Sequence, residues 1–293
     1  MILAQLIANS IIIGSIYALV AAGFALVYST NKFMHFAHGV MVAFSGYMLF
    51  LMFSILGVNF YISCFITLIL AGLLGWISYR AVYEPLQKRK SSNVILLIAS
   101  LGLLILLENA LMIFFGPDIK TIKYFGITKG IDILGAIITP VQIAIIIITL
   151  VLLVGLYFFM NKSKIGRNMR AVADNKELTS ITGINYRFIA DLSFIIGSVL
   201  AGIAGILIAI EQNLTPAMGT GLIIKGFTGA VIGSIMSVPG SIIGSYILGF
   251  AENFGVWFLP SEYKDAIAFI LLFIFLLFKP NGLFGVDKGV RNK

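Results

Sequence analysis

Nine predominantly apolar stretches constrain the fold of this chain more than any other feature. They cover residues 2–28, 36–56, 60–82, 94–115, 134–160, 188–210, 222–236, 241–259 and 266–278. A helix needs about 20 apolar residues to cross a bilayer, so most of these stretches are long enough to span one. The stretch 222–236 is short and rich in glycine, and 266–278 crosses fully only with flanking residues. The pattern predicts an all-α polytopic membrane protein, a bundle of about eight to ten transmembrane helices.

Composition supports this class. The chain is 60% apolar and only 11% charged, with a mean hydropathy of +1.06, whereas soluble domains are about half apolar and a quarter charged. A membrane β-barrel would show alternating segments of about ten residues instead of long apolar runs. Cys64 is the single cysteine, which excludes a disulfide framework and a cysteine metal site. The first charged residue is Lys32, so no cleavable signal peptide is expected, and residues 1–293 are predicted to form one transmembrane domain.

Basic residues cluster beside the apolar stretches and predict the orientation of the chain. The net charge of +8 is concentrated in loop 80–92, segment 161–187 and the C-terminal tail. Positive residues favour the cytoplasmic side, so these three regions are predicted to be cytoplasmic, and no nucleic acid is needed to explain the charge. Loop 116–132 is then external, although it carries Lys120, Lys123 and Lys129. If all nine stretches cross, the N-terminus is external.

The segment 161–187 is the longest polar stretch, with six basic and two acidic residues. Asp174 and Glu177 are three residues apart, as a helix N-cap and an acidic N3 residue are. Leu178 and Ile181 fall on one face after this cap. The spacing predicts a short amphipathic helix of about two turns at the membrane surface.

Gly183 stands where a left-handed C-cap would end this helix. Two interpretations fit the segment. It is either a solvated loop that obeys the positive-inside rule, or a docking helix that receives force from a soluble partner.

Polar groups inside apolar stretches are candidates for function, because placing a charge in lipid costs at least about 2.5 kcal/mol. Glu108 lies deepest, with Asn109 beside it, and Asp191, Lys225 and Glu252 lie in later stretches. Each is expected to face the bundle interior or a water-filled cavity. Their role is either to hydrogen bond between helices or to contact a transported solute.

His35 and His38 are the only histidines, three residues apart at the start of the second stretch. They have no third ligand near them in sequence, so a metal site is not expected. Hydrogen bonding between helices or lining a polar path is favoured.

Known catalytic and nucleotide-binding motifs are absent from the sequence. It contains no phosphate-binding Gly-x-x-x-x-Gly-Lys-Ser/Thr motif, no HExxH, no GxSxG and no CxxC. A membrane enzyme is therefore disfavoured, and no cofactor is expected. A proton-coupled carrier would need a longer chain of carboxylates and histidines, yet an autonomous ion-coupled carrier or channel stays open as an alternative.

A faint internal repeat is visible in the small residues. Gly14-Ser15-x-x-Ala18-x-x-Ala21 is echoed by Gly197-Ser198-x-x-Ala201-x-x-Ala204. Transporters are often built from repeats, although four matched small residues also arise by chance. Small residues at such spacing let helices approach closely in a membrane.

Several ordered blocks together resemble one known family. They are YALVAAGFALVYS with FMHFAHG, YEPLQ with ASLGLLILLENALMIFFG, IGRNMRAVADNKELTSITGIN with GSVLAGIAGIL, and the Pro216-Ala-Met-Gly219 element followed by GFTGAVIGSIMSVPGSIIGSYILGFAE and YKDAIAFILLFIFLLFKPNGLFG. This ordered set, from about residue 14 to 285, resembles the branched-chain amino acid ABC transporter permeases of the LivH type.

The resemblance implies a permease subunit of an ATP-driven importer in a bacterial or archaeal cytoplasmic (inner) membrane. Such systems combine a second homologous permease, two cytoplasmic ATP-binding subunits and an external substrate-binding protein, so ATP hydrolysis is expected in the partners. The substrates implied are branched-chain amino acids, with urea or short amides as the alternative. Segment 161–187 would carry the coupling helix. The residues implied for coupling are Arg170, Asp174, Glu177, Leu178, Ile181 and Gly183, and the candidate path residues are His35, His38, Glu108 and Asn109.

Overall fold

The computed structural model describes residues 2–122, 124 and 129–285. The basic residues Lys288, Arg291 and Lys293 of the C-terminal tail lie outside the described residues, as does Lys123 of the predicted external loop. The described chain is helical almost throughout. Its helices are α1 (Ile2–Asn31), α2 (His38–Leu49), α3 (Phe60–Ser78), α4 (Glu84–Lys88), α5 (Asn93–Phe115), α6 (Pro140–Lys162), α7 (Lys164–Asp174), α8 (Lys176–Ile181), α9 (Tyr186–Glu211), α10 (Met218–Gly233), α11 (Val238–Gly255) and α12 (Lys264–Phe278).

Two of these helices are extended by wider π-helical turns. Phe50–Ile55 continues α2, and Tyr79–Tyr83 joins α3 to α4. The combined segment Phe60–Lys88 is therefore one helical run of 29 residues. This run extends beyond the predicted stretch 60–82, so its last turns lie within the basic loop 80–92.

Among the described residues, six helices are long and apolar enough to cross a membrane, judged by length and composition. The pair α10 and α11 meets at a bend of 114°, and it raises the number to seven if it is one broken span. α12 has only 15 residues. The polytopic helical bundle is thus confirmed, with fewer full-length spans than the nine apolar stretches suggested, because the C-terminal third is built from shorter helices.

A small β-hairpin replaces the first residues of the predicted stretch 134–160. Strands β1 (Ile131–Ile133) and β2 (Ala136–Ile138) pair antiparallel through a tight turn at Leu134 and Gly135. Helix α6 begins only at Pro140, where Thr139 and Gln142 form a reciprocal capping box. Proline at the first helical position and this cap fix the start of the helix.

Two helix pairs, α1–α11 and α9–α3, make matching contacts, as the internal repeat in the sequence suggested. The Ser15 hydroxyl of α1 lies 3.0 Å from the Tyr246 hydroxyl of α11. Ser198, the matching residue of α9, packs directly on Gly75 of α3. The pairs α1–α11 and α9–α3 are therefore arranged alike.

The same correspondence extends to the next helices. In α2, Gly39 and Gly46 are seven residues apart, as are Gly219 and Gly226 in α10. The backbones of Gly39 and Gly219 approach so closely that a side chain on either would overlap the other's carbonyl oxygen. The structure therefore supports an internal repeat in which α1–α2–α3 corresponds to α9–α10–α11.

The predicted basic cytoplasmic regions lie at one end of the bundle. Arg187, in segment 161–187, forms an ion pair with Glu84 of loop 80–92. At the other end, the Gln5 side chain hydrogen bonds to the backbone of Ile137 in the hairpin. The N-terminus of α1 and the hairpin therefore share the end opposite the basic loops, as the predicted external N-terminus requires.

Candidate functional site: the α7–α8 surface and the interior polar groups

Segment 161–187 folds into two helices rather than one. The Ser163 side chain accepts a hydrogen bond from the backbone N–H of Gly166 and starts α7. Met169 and Val172 of α7 are fully buried, so this helix lies against the bundle by its apolar face. It runs to Asp174 and is followed after one residue by α8, the predicted amphipathic helix.

The predicted cap at Asp174 is wrong, because Asn175 has that role. The Asn175 side-chain oxygen accepts hydrogen bonds from the backbone N–H groups of Glu177 and Leu178, both at 3.0 Å. Asn175 also has the extended backbone of an N-cap. Asp174 cannot adopt it, because it is the last helical residue of α7.

The predicted end of the helix is confirmed. Gly183 has a φ of +81°, the left-handed conformation that glycine adopts without strain. The backbone N–H of Ile184 then donates to the Thr179 carbonyl at 3.2 Å, as in a Schellman C-cap. The helix α8 is therefore short and defined at both ends.

The predicted apolar pair on α8 has no cover among the described residues. Leu178 is 61% exposed and Ile181 is 81% exposed. They are one turn apart on one face, which is the spacing of anchors that enter a groove on a partner. Glu177 is also exposed, whereas Arg170 lies on α7 and lines a cavity of about 320 Å³ with Met236.

A chain of polar contacts joins α8 to the bundle. The Lys176 ammonium lies 3.4 Å from the centroid of the Tyr186 ring, a cation–π contact. Partial burial lowers the pKa of Lys176. The Tyr186 hydroxyl donates to Asn31 Oδ1 at 3.2 Å, and Asn31 donates to Ser193. Helix α8 is thus connected through Tyr186 to the end of α1.

An ion-pair network lies beside these contacts. Of its members, only Asp191 was singled out from the sequence. Arg80 binds Asp191 through both ends of its guanidinium group and also reaches Glu84 at 3.3 Å. Glu84 in turn pairs with Lys88 and Arg187. The location of Asp191 inside an apolar stretch was the signal for an interior role. Its partner is 111 residues away, which sequence spacing cannot reveal.

The assignment of Asn175, rather than the adjacent Asp174, as the N-cap of α8 can be tested by mutation. Replacing Asn175 by Ala should remove both cap hydrogen bonds and destabilise α8 by about 1 kcal/mol, a change of about fivefold in local opening. Hydrogen exchange at the amides of residues 176–182 should therefore accelerate. Asp174→Ala is the matched control. Equal acceleration in both variants would contradict the assignment of Asn175 as the cap.

The two histidines lie in the core. His35 Nδ1 is 2.9 Å from the Tyr83 hydroxyl, and the rings of His35 and His38 are 6.1 Å apart. Within the described residues, His35 Nε2 is buried without a hydrogen-bond partner. No group of three metal-ligating side chains occurs in the part of the chain that the structure describes.

Glu108 and Asn109 differ in their surroundings. The Thr220 hydroxyl of α10 donates to Glu108 Oε2 at 2.7 Å. Asn109 is exposed, and its amide donates to the Ile105 carbonyl of its own helix. Because Thr220 follows Gly219, which packs on Gly39, Glu108 lies near the start of α2 that carries His38. Three of the four candidate path residues are therefore grouped around this helix crossing, and Asn109 points elsewhere.

Replacing Glu108 by Ala should impair assembly or transport. The variant removes a hydrogen bond to a carboxylate, worth about 1.5 kcal/mol or more, and leaves Thr220 without its partner. Yield of the membrane-inserted protein and solute uptake measure the effect, with Asn109→Ala as the neighbouring control. Unchanged yield and uptake would remove Glu108 from the interior groups that matter.

A second interior cluster joins α1, α10, α11 and α12. The Lys225 ammonium lies 3.5 Å from Glu252 Oε1 and 3.0 Å from Asp265 Oδ1. The Tyr17 hydroxyl donates to Glu252 Oε2 at 2.8 Å. Glu252 is fully buried; its Oε2 accepts the Tyr17 hydrogen bond, and its Oε1 has the Lys225 ammonium as an ion-pair partner but no hydrogen bond within the described residues. The prediction that Lys225 and Glu252 face the interior is confirmed.

Comparison with known proteins identifies the family. A model of the family described as "Branched-chain amino acid transport system / permease component" matches residues 6–276. The chain is 34% identical to the high-affinity branched-chain amino acid transport system permease protein BraD of Pseudomonas aeruginosa, over 96% of this chain and 95% of BraD. It is 33% identical to LivH of Escherichia coli K12, over 94% of each chain.

More distant matches agree. A probable branched-chain amino acid transport permease protein LivH of the archaeon Methanocaldococcus jannaschii is 27% identical over 97% of this chain and 93% of its own. The solved structure of PsaBC from Streptococcus pneumoniae in complex with Fab has a TM-score of 0.50 and 15% identity, over 97% of this chain and 94% of that chain, which supports the fold alone. With its bundle of apolar helices, this chain is a multi-pass protein of the cytoplasmic membrane and belongs to the family of branched-chain amino acid transport system permease components.

Proposed function

We propose that this chain is the membrane-spanning subunit of an ATP-driven importer that translocates branched-chain amino acids. An external binding protein delivers the substrate, and separate ATP-binding subunits hydrolyse ATP. The transmembrane core is completed by a second homologous permease, and two ATP-binding subunits bind its cytoplasmic end. Family membership over residues 6–276 and relatives named for branched-chain amino acid transport favour this substrate class over urea.

The observation that carries the coupling role is the exposed apolar pair on α8. Leu178 and Ile181 project from a capped helix at the basic end of the bundle. Exposed large apolar side chains on a short, fixed helix are typical of a surface that is covered by a partner. The ATP-binding subunit is the partner we assign to this face. Glu177 lies at the start of this helix and orients it in the groove of the ATP-binding subunit. Arg170 contributes to the same docking surface from α7.

Movement of the partner would reach the bundle through named contacts. Lys176 stacks on Tyr186, and Tyr186 hydrogen bonds to Asn31 at the end of α1. The loop after α1 leads to His35 and then to the crossing of α2 and α10. A shift of α8 as a rigid unit would therefore reach the α2–α10 crossing, around which the candidate path residues His35, His38 and Glu108 are grouped. Packed interfaces with discrete arrangements are suited to such movement.

The test is reconstitution of the complex with its native ATP-binding subunits, followed by assay of ATP hydrolysis. We expect leucine-loaded leucine-binding protein to stimulate hydrolysis and urea-loaded urea-binding protein to leave it unchanged. Stimulation by the urea-binding protein alone would assign the substrate to urea. If no ATP-binding subunit co-purifies in several mild detergents, the importer assignment is wrong, and an autonomous carrier takes its place.

A further inference from the structure

The Lys225 cluster lies beside a cavity of about 280 Å³. Lys225 and Asp265 line the cavity, and Glu252 lies behind Lys225. Gln212 and Asn213, which follow α9 at the end far from the basic loops, also line this cavity. The cavity therefore combines a cation, an anion and uncharged hydrogen-bonding groups.

The remaining wall of the cavity is apolar. Ile13 and Ile16 of α1, Ile208 of α9 and Leu222 of α10 form it. A pocket with an apolar wall and a few convergent polar groups is the usual form of a small-molecule site. A ligand with a charged end and an apolar end finds complementary groups of both kinds in this cavity.

The internal repeat indicates that packing does not require these charges. Gly46 of α2 corresponds to Gly226 of α10, so the residue before it, Ser45, corresponds to Lys225. Ser45 is buried, and its hydroxyl donates to the Met41 carbonyl of its own helix. The helix crossing in the first half is therefore made with a small neutral residue, and the ion-pair cluster in the second half is an addition to the fold. Burying Lys225 and Glu252 is expensive, and the corresponding crossing shows that packing alone does not require it, which makes this cluster a candidate ligand site.

We propose that this cavity binds the zwitterionic head group of the transported amino acid on its way through the membrane. Asp265, which is 73% exposed at its side chain, accepts the ammonium group. Lys225 and the Gln212 amide donate to the carboxylate, and the branched side chain contacts the apolar wall. This inference rests on the proposed function. It deepens that function by assigning residues that recognise the α-amino and α-carboxylate groups together.

The arrangement selects against molecules that lack either charge. An isolated carboxylate finds Lys225 but leaves Asp265 unmatched, and an isolated amine does the reverse. Urea has neither charge. A zwitterion makes both ion pairs, so it is favoured over analogues that carry only one of the two charges. Lys264, which also lines the cavity, adds a second cation that attracts the carboxylate.

The test is protection of a single cysteine in the reconstituted importer. In a Cys64→Ser background, Asn213→Cys places a thiol in the cavity wall, and Glu262→Cys places one on the exposed surface at the same end. A charged thiol reagent is added from outside with L-leucine, isocaproate, isoamylamine or urea. At a leucine concentration about twice its dissociation constant, mass action leaves about one third of the sites empty, so labelling of the Asn213→Cys protein should slow about threefold. The other three probes should have little effect, and labelling of the Glu262→Cys protein should not change.

Adding Asp265→Asn to the Asn213→Cys protein should abolish protection by leucine without loss of assembly, because Asp265 is exposed. Asp118→Asn, an exposed carboxylate outside the cavity, is the matched control and should retain protection. The inference is overturned if a complex that imports leucine is labelled equally fast with and without leucine, or if isocaproate protects as well as leucine. If the complex imports no leucine in the presence of its binding protein and ATP, it is the proposed function that fails instead.

Discussion

Leu178→Asp should abolish leucine uptake while the protein still inserts and folds in the membrane. Leu178 is 61% exposed and contributes nothing to the interior, so a carboxylate there does not disturb the bundle. In the assembled importer the same carboxylate would be buried in the apolar groove of the ATP-binding subunit. Burying a charge without a partner costs several kcal/mol. This cost is enough to prevent the ATP-binding subunit from binding at ordinary concentrations.

The measurement combines uptake with co-purification of the ATP-binding subunit. Leu134→Asp is the control, because Leu134 is 96% exposed in the hairpin at the other end. Its backbone is left-handed, with a φ of +54°, which Asp tolerates better than Leu. The Leu134→Asp protein should still co-purify with the ATP-binding subunit. Full uptake by the Leu178→Asp protein would mean that α8 is not the docking helix.

Gly205→Leu should prevent formation of a stable bundle. A side chain at Gly205 would overlap the Val42 carbonyl oxygen of α2 and contact Ser45. The nearest obstacle is backbone, which cannot rotate away as a side chain can. Overpacking usually costs about 1–3 kcal/mol, and occasionally more. We expect a loss at or above the upper end of that range, because α2 and α9 would have to separate.

Gly155→Leu is the matched control for this prediction. Gly155 lies in α6, and no heavy atom of a neighbouring helix in the described chain lies within 4 Å of the position that a Cβ would take there. Leu also favours a helix over Gly by about 1 kcal/mol. The control should retain its yield and its thermal unfolding midpoint in detergent, whereas Gly205→Leu should lose both. A Gly205→Leu protein with an unchanged midpoint would contradict the close α2–α9 packing.

The features that the sequence predicted correctly depend on local spacing. The apolar stretches located most of the long helices, and Gly183 marked the left-handed end of α8. The misplaced cap shows the limit of such reasoning. Asp174 and Asn175 are adjacent and both suit an N-cap, and the choice depends on how far α7 continues. That is set by burial of Met169 and Val172 against the bundle, which is tertiary packing.

Pairings between distant residues could not be predicted from a single sequence. Asp191 and Glu252 were correctly assigned to the interior, because a charge in an apolar stretch must avoid lipid. Their partners, Arg80 and Lys225, come from other helices and depend on the topology. Asn109 was grouped with Glu108 because the two are adjacent in sequence, although neighbouring helical residues face different directions.

ATP-driven uptake of radiolabelled leucine into proteoliposomes tests the central claim most directly. The vesicles would contain this subunit with its partner permease and ATP-binding subunits, with leucine-binding protein on the opposite side from ATP. The account predicts leucine accumulation that requires both ATP hydrolysis and the binding protein and that persists when all ion gradients are dissipated. Accumulation that follows an ion gradient and does not need ATP would contradict it.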